Sequence, residues 1–365
     1  MVKRIRKKST PLIKKATASS LDSLIRVDMV VKPTNPTESN TLVFKGTFMS
    51  HSVFGKVMWR HIDMKGGANT ETKLMENEIE NMAFHGMSPC FALRFQSVTI
   101  GARMFQSMGL FADMQEQMNR EELSCRGVKL LLVEDCGDVT LSTYLGEEGG
   151  DEDAHAIMFM LFHALSYMRG YKISHNDLHG GNIMISKTVP TRMAFGEDRF
   201  LTSSAVRIID WDLGRSENAP NESLDDYNTV GIFDDFNPLF DVVGLVKTFV
   251  YQRDFFTSPT CRARGVTFTR AFRTLQRLFA PLRRNHGWIF KVDHALDGDT
   301  KKTTQLVQQT IFAPNGTIEE GWPSKVFSDA PSIHAVTEAL YDDMSSSRKQ
   351  FKSAPTYSFP STLLI

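Results

Sequence analysis

Apolar and polar positions set two regimes along this chain. Residues 26–62 alternate between β-rich runs and breakers, and helical spacing appears from residue 71 onward among further short apolar runs. Residues 41–48 and 53–59 read as strands, and the short apolar run 128–134 reads as a buried strand. In 71–84 the apolar residues Met75, Ile79 and Met82 fall at i, i+4 and i+7, which predicts a helix with one buried stripe. Residues 140–145 begin another helix. Asp151, Glu152 and Asp153 then precede a long helical pattern to Met168, in which Ile157, Leu161, Leu165 and Met168 predict burial on one face. A buried helix is expected over 238–250, and helical segments near 266–283 and 331–344. Strands and helices are both expected, in a mixed α+β chain.

The stretch 173–185 organises the rest. It reads as apolar strand, polar turn, apolar strand, and the turn carries Asp177 and, five residues later, Asn182. A second cluster at 206–215 reads as a buried strand ending in Asp210, with Asp212 two residues on. A carboxylate that orients a hydroxyl and accepts its proton, with oxygen ligands for Mg²⁺ beside nucleotide phosphates, is what phosphoryl transfer needs. Asp177 suits the first task, and Asn182 and Asp210 suit the second.

Composition narrows the classes. The chain has 365 residues, 41% hydrophobic, enough for one large two-lobed unit or two domains. Lys+Arg and Asp+Glu are both 42, so no bulk charge calls for nucleic acid or an anionic membrane. No apolar run has transmembrane length. The four cysteines (Cys90, Cys125, Cys136 and Cys261) lack paired spacing, which points to a reduced intracellular compartment, cytoplasmic or nuclear. Residues 1–25 form a basic arm with Lys3, Arg4, Arg6, Lys7, Lys8, Lys14 and Lys15, read either as a solubilising tail or as a nuclear address or anion-binding arm. Beyond that arm nothing indicates nucleic acid.

With both clusters in order, the chain resembles the protein-kinase-like superfamily over roughly residues 40–285. The first cluster fits the H-x-D-x-x-x-x-N catalytic loop, and the second sits where the metal-binding D-F-G belongs. The resemblance implies a bilobal fold with a small β-rich N-lobe (26–134), a larger, mostly helical C-lobe (135–345) and a tail (346–365). It implies ATP and Mg²⁺ as cofactors. Lys56 resembles the strand lysine that grips the phosphates, with Lys45 and Lys65 as alternatives. Glu78 would steady it, with Glu76 and Glu80 as alternatives. Val133, Glu134 and Cys136 fall in a hinge-like stretch and are candidate nucleotide-binding positions. His175 would be structural, behind the loop. Asp241 would brace the loop through its backbone, or serve only as a helix N-terminal acid.

Three departures set the chain apart. No G-x-G-x-x-G precedes the lysine strand, so another loop, around 46–52, would cover the phosphates. Asp210-Trp211-Asp212 replaces D-F-G. No A-P-E follows. These features are closest to the haspin-like kinases, while H-N-D-L-x-x-G-N and Asp212 also resemble choline and aminoglycoside kinases. The expectation is a Mg²⁺/ATP-dependent kinase of protein Ser/Thr. The alternatives are a small-molecule kinase, for which Asp212 would wall a cationic acceptor, and a pseudokinase binding module.

Overall fold

The computed structural model describes residues 24–31, 41–61, 88–92, 94–107, 125–137, 139–144, 154–186, 191–195, 198–202, 204–216, 220–221, 236–237, 239–247, 266–286 and 324–344. The chain divides into two units, one comprising Met1–Thr72, Arg94–Asp135 and Ala354–Ile365, the other Lys73–Leu93 and Cys136–Ser353. The fold is mixed α+β, with an antiparallel sheet and several helices. The basic arm up to residue 23, the helix expected over 71–84 with Glu76, Glu78 and Glu80, Lys65, and the tail lie outside the described residues.

The first unit holds β1 (Ile25–Val31), β2 (Thr41–Phe48), β3 (His51–His61), β4 (Arg94–Gly101) and β5 (Cys125–Glu134), in the order β1-β2-β3-β5-β4 with every pair antiparallel. Strands β2 and β3 form a hairpin in which Phe48 opposes His51. Its two turn residues, Met49 and Ser50, have φ of 48° and 72°, the sign that a tight turn matched to the strand twist requires. Residues 46–52, expected as a phosphate-covering loop, are therefore two strand ends and a tight turn.

Period-two alternation divides the sheet into two faces. Phe44, Val53, Val57, Val128, Leu130 and Leu132 face one core, with Phe105 from helix α1 (Ala102–Gln106) among them. Gly55 sits opposite Phe44, and a Cβ there would fall 2.0 Å from the Phe44 ring. The missing side chain is thus what lets Phe44 lie across β3. Phe54 and Lys56 alternate with those core residues and belong to the other face.

The second unit is built on α3 (Ala154–Gly170), which follows the short α2 (Leu141–Thr143). The expected one-sided stripe is present, but burial extends round the helix: Ala156 to Phe162, Ala164 and Leu165 are all buried. The reason is packing on several sides. Phe159 meets Phe195 and Phe200 on the hairpin of β8 (Thr191–Phe195) and β9 (Asp198–Thr202), and it meets Tyr341 on α8 (Ile333–Asp343). A helix apolar all round is a core helix. The hairpin was not anticipated from the sequence.

A three-stranded sheet, β10-β7-β6, carries the polar loops; its strands are β6 (Val139–Thr140), β7 (Ile183–Ser186) and β10 (Ala205–Ile208). Its β10 edge is extended by residues 90–92: Ile208 N–H donates to Cys90 O at 2.7 Å, and Ala92 N–H to Ile208 O at 3.3 Å. Four more helices complete the described part: α4 (Phe240–Val246), α5 (Val266–Leu278), α6 (Ala280–His286) and α7 (Ser324–Asp329). The helical segments expected near 266–283 are present as α5 and α6. No described helix is long and apolar enough to cross a membrane.

Candidate active site

The loop after α3 is less regular than its apolar flanks predict. Ile173 and Ser174 do not form a strand; Ser174 makes only an isolated antiparallel bridge, exchanging backbone bonds of 3.0 and 2.9 Å with Arg215. The second flank is β7, paired with β10 so that Ile183 opposes Ile208. Between them a short 3₁₀ turn, Gly180–Asn182, delivers Asn182. Ile183, Ile185, Val206 and Ile208 are buried, and this apolar pairing anchors the polar loop.

Asp177 and Asn182 meet directly. The Asn182 Nδ2 group donates to Asp177 O at 2.9 Å and to Asp177 Oδ2 at 3.0 Å. Both amide hydrogens are thereby used, which leaves Asn182 Oδ1 as the oxygen available to a metal. Ile209 N–H donates to Asn182 O at 3.0 Å, and the next residue is Asp210. Asp210 has φ 64°, a left-handed conformation uncommon outside glycine, so the chain leaves β10 through a sharp bend at this acid.

His175 lies behind the loop, as expected, and is fully buried. Its Nδ1 accepts from Asp177 N–H at 3.3 Å, so Nε2 carries the ring proton and donates to Ile209 O at 2.8 Å. The ring packs on Trp211 with centroids 4.6 Å apart, and Trp211 meets Phe91 edge-on at 5.3 Å. One imidazole thus ties the segment holding Asp177 to the segment holding Asp210.

Asp241, left open between two roles, braces the loop. Its carboxylate accepts the N–H of His175 at 2.7 Å and of Asn176 at 2.8 Å. Burial pushes its carboxyl above the usual range, with the two backbone N–H bonds pulling the other way. Helix α4 comes close because of Gly244, where a Cβ would lie 2.7 Å from Leu178 O. Asn176 has φ 64° and donates from Nδ2 to Leu213 O at 2.9 Å.

Sequence reading did not single out three further participants. His179 accepts Gly181 N–H on Nδ1 at 3.0 Å, and its Nε2 lies 3.6 Å from Asp177 Oδ2. Buried Asn221 clips the bend after Asp210, donating to Asp212 O at 3.0 Å and Gly214 O at 3.1 Å. Arg207, buried on β10, donates from Nη1 to Pro89 O at 2.7 Å. Short polar residues flanking a motif were the one available signal for His179; the other two act across sequence distance. Asp212 Oδ1 accepts Leu213 N–H at 2.8 Å. Cys90 beside Arg207 is buried, and burial pushes its thiol up to about 11, so it remains an uncharged packing group.

Of the remaining described candidates, Lys56, Val133 and Glu134 lie on the first unit's sheet, and Cys136 is buried in the second unit. Lys56 pairs in register with Val43 on β2 and Leu131 on β5, and Phe54 with Lys45 and Val133. Directly opposed residues share a face, so half-buried Lys56 shares its face with Leu131, Val133 and Phe54. Glu134 opposes Val53. Lys45 is engaged elsewhere: its Nζ lies 3.0 Å from Asp135 Oδ2, which also accepts the Ser52 hydroxyl at 2.8 Å. Among the described residues no group of three or more His, Cys, Asp or Glu could hold a metal.

No known family model matches the sequence, and no curated protein matches it.

Proposed function

We propose that this chain is a Mg²⁺/ATP-dependent phosphotransferase with a bilobal protein-kinase-like fold, acting on protein Ser/Thr hydroxyls inside the cell. The observation that carries this reading is the Asp177–Asn182 pair, with Asn182 in turn bonded through its carbonyl to the residue before Asp210. Asp177 would orient the acceptor hydroxyl and take its proton. Asn182 Oδ1 and Asp210 would hold Mg²⁺, and the metal, when bound, supplies neutralisation of phosphate charge. A pair of hard oxygen donors completed by phosphates and water fits Mg²⁺, which is seldom held by all-protein cages.

Lys56 is the favoured phosphate lysine. It stands on the third strand, as in protein kinases, amid Leu131, Val133 and Phe54, an apolar surrounding suited to a base. Lys45 is committed to Asp135. Glu134 and Cys136 retain their proposed place in the hinge-like stretch, and Glu78 its place as the partner of Lys56. Asp212 Oδ1 accepts Leu213 N–H, and a cationic small molecule beside Asp212 is the alternative acceptor.

The test is transfer of labelled γ-phosphate from Mg²⁺-ATP to a protein mixture and to a panel of amines and aminoglycosides. The expected result is label on Ser/Thr of protein, lowered about 10²–10⁴-fold by Asp177→Asn, the range for loss of a general base. Label on amines alone would move the reading to a small-molecule kinase. No label on any acceptor would move it to a binding module.

A further inference from the structure

The chain is neutral overall, but its charges are not evenly spread. From residue 255 to 292 there are seven arginines, one lysine and one histidine, and no Asp or Glu. The described part of this stretch is α5 and α6. Backbone bonds of the helical kind carry across their junction, from Phe279 N–H to Leu275 O at 2.9 Å and from Arg283 N–H to Phe279 O at 3.0 Å. Ala271, Phe272, Leu275, Phe279 and Leu282 are buried and fix which side faces inward. The other side exposes Arg273, Gln276, Arg277, Arg283 and Arg284. Arg273 and Arg277 are one turn apart on α5, roughly 6 Å along the axis, and Arg283 and Arg284 stand exposed on the following α6.

Two neighbouring acids are bonded to other groups. Asp343 accepts the Thr274 hydroxyl at 2.7 Å, and Asp329 accepts Asn285 and His286, each at 2.9 Å. Among the described residues no acid pairs with Arg273, Arg277 or Arg284. Cations in a helix's last turn complement its dipole, which accounts for Arg277, Arg283 and Arg284 but not for Arg273 in the middle of α5.

We infer that this arginine face binds the phosphate backbone of a nucleic acid, without reading its sequence. Charge complementarity names the partner, and two features favour nucleic acid over an acidic protein. Protein interfaces draw their affinity from a desolvated aromatic or aliphatic centre. Here the exposed residues of 271–286 are polar apart from Pro281. Every cation on the two helices' exposed side is arginine, whose planar fork matches phosphate oxygens in pairs. Guanidinium groups clustered on the exposed side of consecutive helices are the footprint of backbone binding. The inference is independent of the phosphotransfer reading.

The test uses the full chain and a labelled short DNA duplex of arbitrary sequence, with anisotropy read across a salt series. A single-stranded RNA of equal length forms a second arm that distinguishes the kind of nucleic acid. The triple variant Arg273→Gln/Arg277→Gln/Arg284→Gln should weaken binding at least tenfold at low salt. It should also flatten the plot of log K against log salt by about 0.9 per arginine. The triple Lys variant, which keeps the charge, should hold most of the affinity, and Arg277→Gln alone should flatten the slope by about 0.9 if the triple Gln variant fails to fold. Three results would overturn the inference. One is a triple Gln variant that binds like the wild type at every salt concentration. Another is loss of all binding when Lys3, Arg4, Arg6, Lys7 and Lys8 are changed to Gln, which assigns it to the N-terminal arm. The third is a poly-glutamate peptide that binds as tightly as the duplex, which assigns the face to an acidic protein.

Discussion

The loop around Asp177 and the sheet face around Lys56 are held in place by different forces. In the loop, nearly every residue is tied by directional bonds from distant parts of the chain. Asp241 takes two backbone N–H groups, His175 reaches Ile209, Asn176 reaches Leu213, and Asn182 is read by Ile209. On the sheet, Lys56 is placed by strand register and by the apolar alternation that turns Val53 and Val57 into the core. A bonded loop in a buried setting fixes positions finely but fails when one partner is removed. A register-placed side chain can be exchanged with less effect on backbone shape.

Asp241→Ala should show the larger effect. It strips two N–H groups of a charged acceptor in a buried site, and unfolding free energy should drop by about 3 kcal/mol in a denaturant titration. Transfer should fall with it, because His175 and Asn176 precede Asp177 directly. Lys56→Met should instead leave the denaturation midpoint almost unchanged and depress transfer strongly. Lys45→Met should do neither to the same degree, since Lys45 is bound to Asp135. A silent Lys56→Met with an inactive Lys45→Met would reverse the two assignments. A destabilising Lys56→Met would break the contrast between the regions.

A smaller effect is expected from pH. Burial raises the Asp241 carboxyl above its ordinary 3.8 in the folded chain. The folded state then holds the proton more tightly than the unfolded state between 3.8 and the raised value. Stability contributed by this group is therefore complete below the lower limit and declines as pH rises through that window, then levels off. The stability difference between the wild type and Asp241→Asn, followed by urea titration, should shrink from pH 4 upward. No comparable trend should separate the wild type from Lys56→Met.

The smallest effect is expected from phosphorylation after Asp210. Ser216 is buried, and the bend before it is clipped by Asn221 and bridged by Arg215 to Ser174. On the proposed kinase-like reading, Asn176 takes the place of the arginine that receives an activating phosphate in many protein kinases. Phosphatase treatment should leave transfer unchanged, as should Ala or Phe at Ser216, Ser223, Tyr227 and Thr229. A tenfold loss on dephosphorylation, about 1.4 kcal/mol of barrier, would show that the loop's ordering depends on a modification.

The same contrast explains what could be read from the sequence. The Asp177–Asn182 spacing and the acid after an apolar run are local, and the strands bearing Lys45 and Lys56 follow from alternation. Asp241 could be read only as one of two roles, because its partners lie 65 and 66 residues away. Burial all round α3 was missed because a repeat at Ile157, Leu161, Leu165 and Met168 suffices to predict a helix, and the hairpin that covers its other side is far along the chain. That hairpin carried a weak signal in Met193, Phe195 and Phe200, in strands too short to stand out. The expected strand at 173–174 shrank to a single bridge because its backbone turns to meet Asp241 and Arg215 instead of a neighbouring strand.

The phosphotransfer reading is tested most directly by calorimetric titration of ATP into the folded protein, with and without Mg²⁺. The wild type should bind ATP in a Mg²⁺-dependent way. Asp210→Ala should lose that dependence, and Asp177→Asn should bind as the wild type does while failing to transfer phosphate. ATP binding that ignores both Mg²⁺ and Asp210, or no binding at all, would contradict it.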